Sequence, residues 1–217
     1  MSPSIDHLTV AATSLDGREL DELLGVGLAP GGRHARMGTH NRLLRLGDGA
    51  YLEVIAIDPQ GTTPAHPRWF ELDDPAMRAR LADGPRLVHW VARVDTTELP
   101  PLPFDVGPWE RFERGDLSWQ LTVRADGLLP ADGVVPSLIC WAGPAHPTGR
   151  LPESRVSLET LELAHPRAAE VQQQLDLLGL DILCHPSARP EIIAHLWTPS
   201  GPRTLRSSEP LRRPGAG

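Results

Sequence analysis

Three side chains on three strand-like runs carry the chemistry worth looking for: His7, Glu53 and His89. Ile5-Asp6-His7-Leu8-Thr9-Val10 and Leu87-Val88-His89-Trp90-Val91-Ala92 each hold a histidine at the third position. Between them, Tyr51-Leu52-Glu53-Val54-Ile55-Ala56-Ile57 is an apolar, β-branched run with one carboxylate in its middle. Gly49 and Asp58-Pro59 bound it, so it reads as a strand buried on both faces. A carboxylate there is costly unless a cation or a hydrogen-bond donor meets it. Two imidazoles and a carboxylate form a ligand set for a divalent metal with positions left open for water or substrate. The plainer alternative is three separately satisfied polar residues, with Glu53 paired to Arg42 or Arg45 across a hairpin.

The elements that must position these groups follow from pattern. Residues 5–12 form a first strand. Asp16 and Glu19 have capping-box spacing ahead of a helix with Leu20, Leu23 and Leu24 on one face, and Gly25 is a natural stop. Ala29-Pro30-Gly31-Gly32 reads as loop. Thr39 to Leu46 reads as a strand, and Gly47-Asp48-Gly49 turns it into the Glu53 strand as an antiparallel hairpin. On the Thr39–Leu46 strand, Thr39 and Asn41 share a face, and His40 points the other way. Asp74-Pro75 opens a short helix to Leu81, which Gly84-Pro85 ends.

The His89 strand then repeats the His7 strand 82 residues later (7 to 89). The helix expected after it is broken by Pro100, Pro101 and Pro103. Strand-like pieces resume at 109–112, 118–123 and 137–141. From about residue 155 the pattern starts again: a strand at 156–163, a helix opened by Pro166 and stopped by Gly179, and two short strands within 191–206. This organisation gives residues 1–150 as a main domain with units at 5–58 and 86–145, residues 151–206 as a partial βαβ unit, and residues 207–217 as a flexible tail.

Composition narrows the function classes. A formal charge of −7 without a basic stripe makes nucleic acid a poor partner. No apolar run reaches the ~20 residues that span a bilayer, and the N-terminus lacks signal-peptide features. Cys140 and Cys184 make no disulfide framework, so a reduced, cytoplasmic protein is expected. All 21 basic residues are arginine, which removes Schiff-base chemistry and the phosphate-loop lysine. Six residues are Trp in a chain only 5% aromatic, so several, among Trp90, Trp119 and Trp141, are expected to wall a cavity. Trp69-Phe70 reads as a surface staple rather than a lid. His146, His165, His185 and His195 fit no metal spacing, and Cys184 has no base partner in view.

Taken together, 5–10, 38–47, 49–55 and 88–90 resemble the glyoxalase-like domain proteins of the vicinal oxygen chelate superfamily, which includes glyoxalase, bleomycin-resistance and extradiol dioxygenase proteins. The resemblance covers roughly residues 5–145. It implies an α+β fold of paired βαβββ modules forming a half-open mixed sheet around a cavity, with a third partial module behind. It implies metal ligands at His7, Glu53 and His89. A fourth ligand falls due near residue 135, where no carboxylate stands; Cys140 could fill the place or be a small buried side chain.

Substrate contacts are expected from Thr39, Asn41, Trp90, Trp119, Cys140 and Trp141, and for Asn41 the resemblance implies it, since the family places a polar residue there. Two functions follow as expectations. One is a divalent-metal (Zn, Fe, Mn or Ni) lyase, isomerase or dioxygenase acting on a small oxygenated molecule, with Glu53 also as catalytic base. The other is a metal-free small-molecule binding or drug-sequestering protein of the bleomycin-resistance type. The expected partners are a small molecule and a second copy in a homodimer, with no membrane.

Overall fold

The computed structural model describes residues 3–47 and 49–212. Asp48 of the expected turn and residues 213–217 of the expected tail lie outside them. Eight strands form one mixed sheet. In chain order they are β1 (Ser4–Ala11), β2 (Ala29–His34), β3 (Thr39–Arg45), β4 (Tyr51–Ile57), β5 (Arg86–Arg93), β6 (Trp109–Arg114), β7 (Leu117–Thr122) and β8 (Ser137–Trp141). Their order across the sheet is β2-β3-β4-β1-β5-β8-β7-β6.

That order is symmetric about the antiparallel β1–β5 pair. On one side β4 runs parallel to β1, and on the other β8 runs parallel to β5. The β1–β5 register repeats the symmetry in detail. One extra residue, Asp6, bulges from β1 between Ile5 and His7; one extra residue, Val88, bulges from β5 between Leu87 and His89. His7 then faces Val91, and Thr9 faces His89. A bulge turns two neighbouring side chains toward the same side. This is why Asp6 reaches the ring of the residue beside it.

Helix α1 (Glu19–Leu24) follows β1 and buries Leu20, Leu23 and Leu24. The expected capping box does not form. The helix starts two residues later with Arg18 at the cap and no side-chain cap bond, and the Asp16 backbone N–H bonds Ser14 Oγ instead. Gly25 closes the helix in the left-handed conformation, as its position predicts. The Ala29–Gly32 loop is instead the start of edge strand β2, where Pro30 and two glycines are tolerated beside an irregularity in the register. Helix α2 (Pro75–Leu81) is capped by Asp74, whose carboxylate accepts the Ala76 N–H at 2.6 Å. No helix lies between β5 and β6.

The remainder forms a four-stranded sheet: β9 (Ser157–His165), helix α3 (Ala168–Leu177), β10 (Cys184–Pro186), β11 (Glu191–Thr198) and β12 (Gly201–Arg206). Its order, β10-β9-β11-β12, differs from either half of the large sheet. A βαβ unit is present, and β10 within it was not legible. Leu163, Val171, Leu175 and Ile192 pack with Leu8, Leu52 and Trp90 in one cluster covering the outer face of the large sheet. The inner face is closed by a second cluster around Ile55, Trp69, Phe70, Val91, Trp119 and Ile139. Leu211 is buried and its N–H bonds Pro85 O at 2.7 Å, so the chain stays docked to at least there.

Candidate functional site

Alternation along β1, β3 and β4 puts His7, Asn41, Tyr51 and Glu53 on the inner face, while Leu8, Leu52 and Val54 face the opposite core. Twelve residues line a narrow, partly open pocket of ≈ 30 Å³ there, with Trp69, Phe70, Trp119 and Trp141 as aromatic walls and Arg114 reaching in from the end of β6. That is space for about two waters.

His7 is held from behind. Its Nδ1–H donates to Asp6 Oδ1 at 2.8 Å. Asp6 is fully buried, and its second oxygen accepts from Arg93 Nε (2.9 Å), Trp141 Nε1 (2.9 Å) and His146 Nε2 (3.1 Å). Burial alone would raise the Asp6 pKa; the hydrogen bonds from His146 and His7, and their charges, outweigh it and hold the carboxyl well below the usual range. Asp6 therefore stays ionised and fixes the proton on Nδ1. The His7 lone pair at Nε2 is left facing the pocket, 3.7 Å from Glu53 Oε2. Tyr51 stacks on the His7 ring at 4.6 Å. Burial, then the charges of Asp6 and Glu53, push the Tyr51 phenol well above its ordinary value, so it keeps its proton.

Glu53 is met by an amide rather than by either arginine. Asn41 Nδ2 donates to Glu53 Oε1 at 2.6 Å, and Asn41 Oδ1 accepts from Gly32 N–H at 2.7 Å and from Arg114 Nη1 at 3.4 Å. Arg42 instead pairs with Asp21, and Arg45 bonds Gly47 O. His34 completes this side. Its Nδ1 bonds Thr39 Oγ1 at 3.0 Å, and Nε2 lies 3.5 Å from Asn41 Nδ2. Burial lowers the His34 pKa to about 4 despite the nearby Glu53 charge, so the ring is neutral and fixes the amide.

His89 does not join them. Its Nδ1–H donates to Gly133 O at 3.0 Å, and its Nε2 accepts the Ser137 N–H at 3.0 Å, with Ser137 Oγ at 3.0 Å. Burial lowers its pKa to about 3, against the raising effect of the Gly133 carbonyl. Gly133 is required for this contact. Its φ is +91°, and a Cβ there would stand 2.3 Å from Val88 O. With both nitrogens committed, His89 has no lone pair for a metal. Among the described residues no three His, Cys, Asp or Glu side chains are grouped to hold an ion. The expected two-histidine, one-glutamate set therefore does not assemble; only His7 and Glu53 share a pocket.

Other expected contacts divide. Asn41, Trp119 and Trp141 line the pocket. Thr39 acts through His34. Trp90 is fully buried on the outer face with its N–H on Val134 O at 2.8 Å, and Cys140 packs against that same outer cluster, because it alternates with Ile139 and Trp141. Trp69 and Phe70 are buried pocket walls, not a surface staple. The position equivalent to Glu53 is Ser137: Thr9 pairs with Glu53 as Val91 pairs with Ser137. Residues that pattern reading passed over are Asp6, His34, Tyr51, Arg114 and His146. Only Asp6 carried a signal, as a charged residue inside a buried strand.

The mixed sheet thus curls around a buried histidine–glutamate pair. Residues 5–179 match the model of the glyoxalase-like domain, and the chain belongs to that family. Among solved structures it is similar to a hypothetical protein from Staphylococcus aureus, at 15% identity and a TM-score of 0.53 over 95% of this chain and 85% of that one, a likeness of fold alone. No curated protein matches it.

Proposed function

We propose that this protein is a glyoxalase-like enzyme that moves a proton on a small oxygenated organic molecule, as an isomerase or lyase, with His7 and Glu53 as the two acid–base groups. The supporting observation is the 3.7 Å separation of His7 Nε2 and Glu53 Oε2 inside one narrow pocket. Asp6 holds the imidazole in the tautomer that leaves Nε2 free to take a proton. In the forward step Nε2 removes a C–H proton next to a carbonyl. The C–H electron pair becomes the new C=C bond, and the carbonyl pair moves onto oxygen. The His7 imidazolium passes that proton to the Glu53 carboxylate 3.7 Å away, and Glu53 returns it to the enolate at the same or the neighbouring carbon, so the proton count closes and no co-reactant is consumed. Trp69 has a buried indole N–H with no acceptor, and it supplies a donor for the developing oxyanion.

Of the expected ligand set, a metal-dependent lyase, isomerase or dioxygenase would keep His7 and Glu53, since His89 is committed elsewhere. The test is solvent exchange. Small aldehydes, ketones, and oxo and hydroxy acids are incubated with the protein in D2O and followed by NMR. Deuterium is expected at the carbon beside the carbonyl of at least one of them, and is lost in His7→Asn and Glu53→Gln. Exchange in none of them, or exchange undiminished in both variants, would sink the reading.

A further inference from the structure

We propose that Arg114 is a carboxylate anchor, and that the substrate of the pocket is a small oxo or hydroxy acid. This rests on the proton-transfer reading above and names its substrate class. Arg114 is half-buried at the end of β6 and enters a pocket whose other ionisable groups, His7, His34, Tyr51 and Glu53, come from the opposite half of the sheet. A guanidinium offers five N–H donors in a planar fork. The bond Arg114 makes here is one at 3.4 Å, to an Asn41 oxygen already taking the Gly32 N–H at 2.7 Å. No carboxylate of the described residues lies within ion-pair distance of it.

The strand beside it is cleared of side chains. A Cβ at Gly31 would meet Asn41 Oδ1 at 2.0 Å, and one at Gly32 would meet Arg114 Cδ at 2.6 Å. Two glycines thus let an amide and a guanidinium lie against the β2 backbone. The charges facing Arg114 leave room for an anion. Asp6 is committed to Arg93, Trp141 and two histidines, and His34 is neutral. Glu53 stands behind Asn41, which separates the two charges by one amide.

A substrate carboxylate on the open fork would gain two parallel charge-assisted bonds. Its next carbons would then lie toward His7 and Glu53, which suits abstraction of a proton from the carbon flanking a 2-oxo group.

The experiment pairs acids with their neutral amides, pyruvate with pyruvamide and lactate with lactamide, titrated by calorimetry into the full chain. At least one acid is expected to bind about tenfold or more tightly than its amide, the size of one charge-assisted contact. Arg114→Gln, checked by thermal melting to be folded, should abolish that preference while amide binding stays as it was. Arg114→Lys should keep part of it. Equal binding of acid and amide, no binding of either acid, or a preference that survives in Arg114→Gln would each overturn the proposal. Its failure is separable from that of the proton-transfer reading. His7→Asn should lose deuterium exchange and keep the carboxylate preference. Exchange that proceeds equally on acid and amide would remove Arg114 from substrate binding and leave His7 and Glu53 in place.

Discussion

The two halves of the large sheet hold the same constellation with opposite chemistry. In the first, the bulged residue is Asp6, the histidine is His7, and the residue on the parallel neighbour is Glu53. In the second, the matching places hold Val88, His89 and Ser137. Asn41, opposite Ile55, corresponds to Leu121, opposite Ile139. Both histidines have a hydrogen-bond partner at Nδ1, but only His89 has one at Nε2. His7 has an ionised carboxylate at Nδ1 and a second carboxylate 3.7 Å from a free lone pair. His89 has a backbone carbonyl at one side and a backbone N–H at the other, and nothing left to offer. One backbone plan therefore leaves an imidazole with an uncommitted Nε2 where charged neighbours surround it and ties up both nitrogens of the other where apolar neighbours do. A carboxylate both fixes the tautomer and stabilises a transient imidazolium; a carbonyl in a dry site does only the first.

The comparison can be broken most directly by exchanging effects between the histidines. His7→Asn should reduce deuterium exchange by about 10²–10⁴-fold, the usual worth of a general base, and His89→Asn should alter it only through the folded fraction. A large exchange defect in a fully folded His89 variant would erase the distinction. Dialysis against a chelator should leave exchange unchanged; loss restored by an added divalent ion would make His7 and Glu53 ligands instead.

Stability should show the reverse ranking. His89→Ala leaves the Gly133 carbonyl and the Ser137 N–H without their partner, at about 1–3 kcal/mol each. Urea unfolding should therefore report about 2–5 kcal/mol for His89→Ala and less than half of that for His7→Ala.

The pH dependence sharpens the point. His89 and His34 have folded pKa values of about 3 and about 4, both depressed by burial. The unfolded chain thus binds more protons than the folded one below about pH 6.5. Stability is full above that value and falls with acidification, each ring contributing up to about 1.4 kcal/mol per pH unit. His89→Gln should remove about half of the histidine slope between pH 6 and pH 5, measured by urea midpoints; an unchanged slope would mean the ring is not buried neutral. The smallest effect is expected from Ser137→Ala. It removes a hydroxyl but keeps the N–H, and should cost about 1 kcal/mol with exchange intact, in contrast to Glu53→Gln at the matching place.

How legible this was depended on the kind of signal. The strands carrying His7, Glu53 and His89 showed in the runs themselves, because apolar β-branched stretches bounded by Gly and Pro have few alternatives. The loss of the second helix showed in Pro100, Pro101 and Pro103. Strand β2 did not, since Pro30, Gly31 and Gly32 are turn residues by propensity; the chain keeps them on an edge to make room for Asn41 and Arg114. His7, Glu53 and Asn41 were found from local pattern, whereas Arg114 and Tyr51 had no pattern to betray them, and His146 looked like any loop histidine.

Alone, the sequence determined which apolar runs lie in buried strands, that Thr39 and Asn41 share a face, and that a duplicated strand motif recurs 82 residues on, because side-chain alternation and apolar runs are local properties. Only the tertiary structure decided which of two similar histidines is free. That choice rests on what reaches each ring from strands and loops far along the chain: Glu53 on one, Gly133 and Ser137 on the other. Hydrogen bonds across such separations are set by sheet register and by two one-residue bulges, and neither leaves a mark in composition or periodicity.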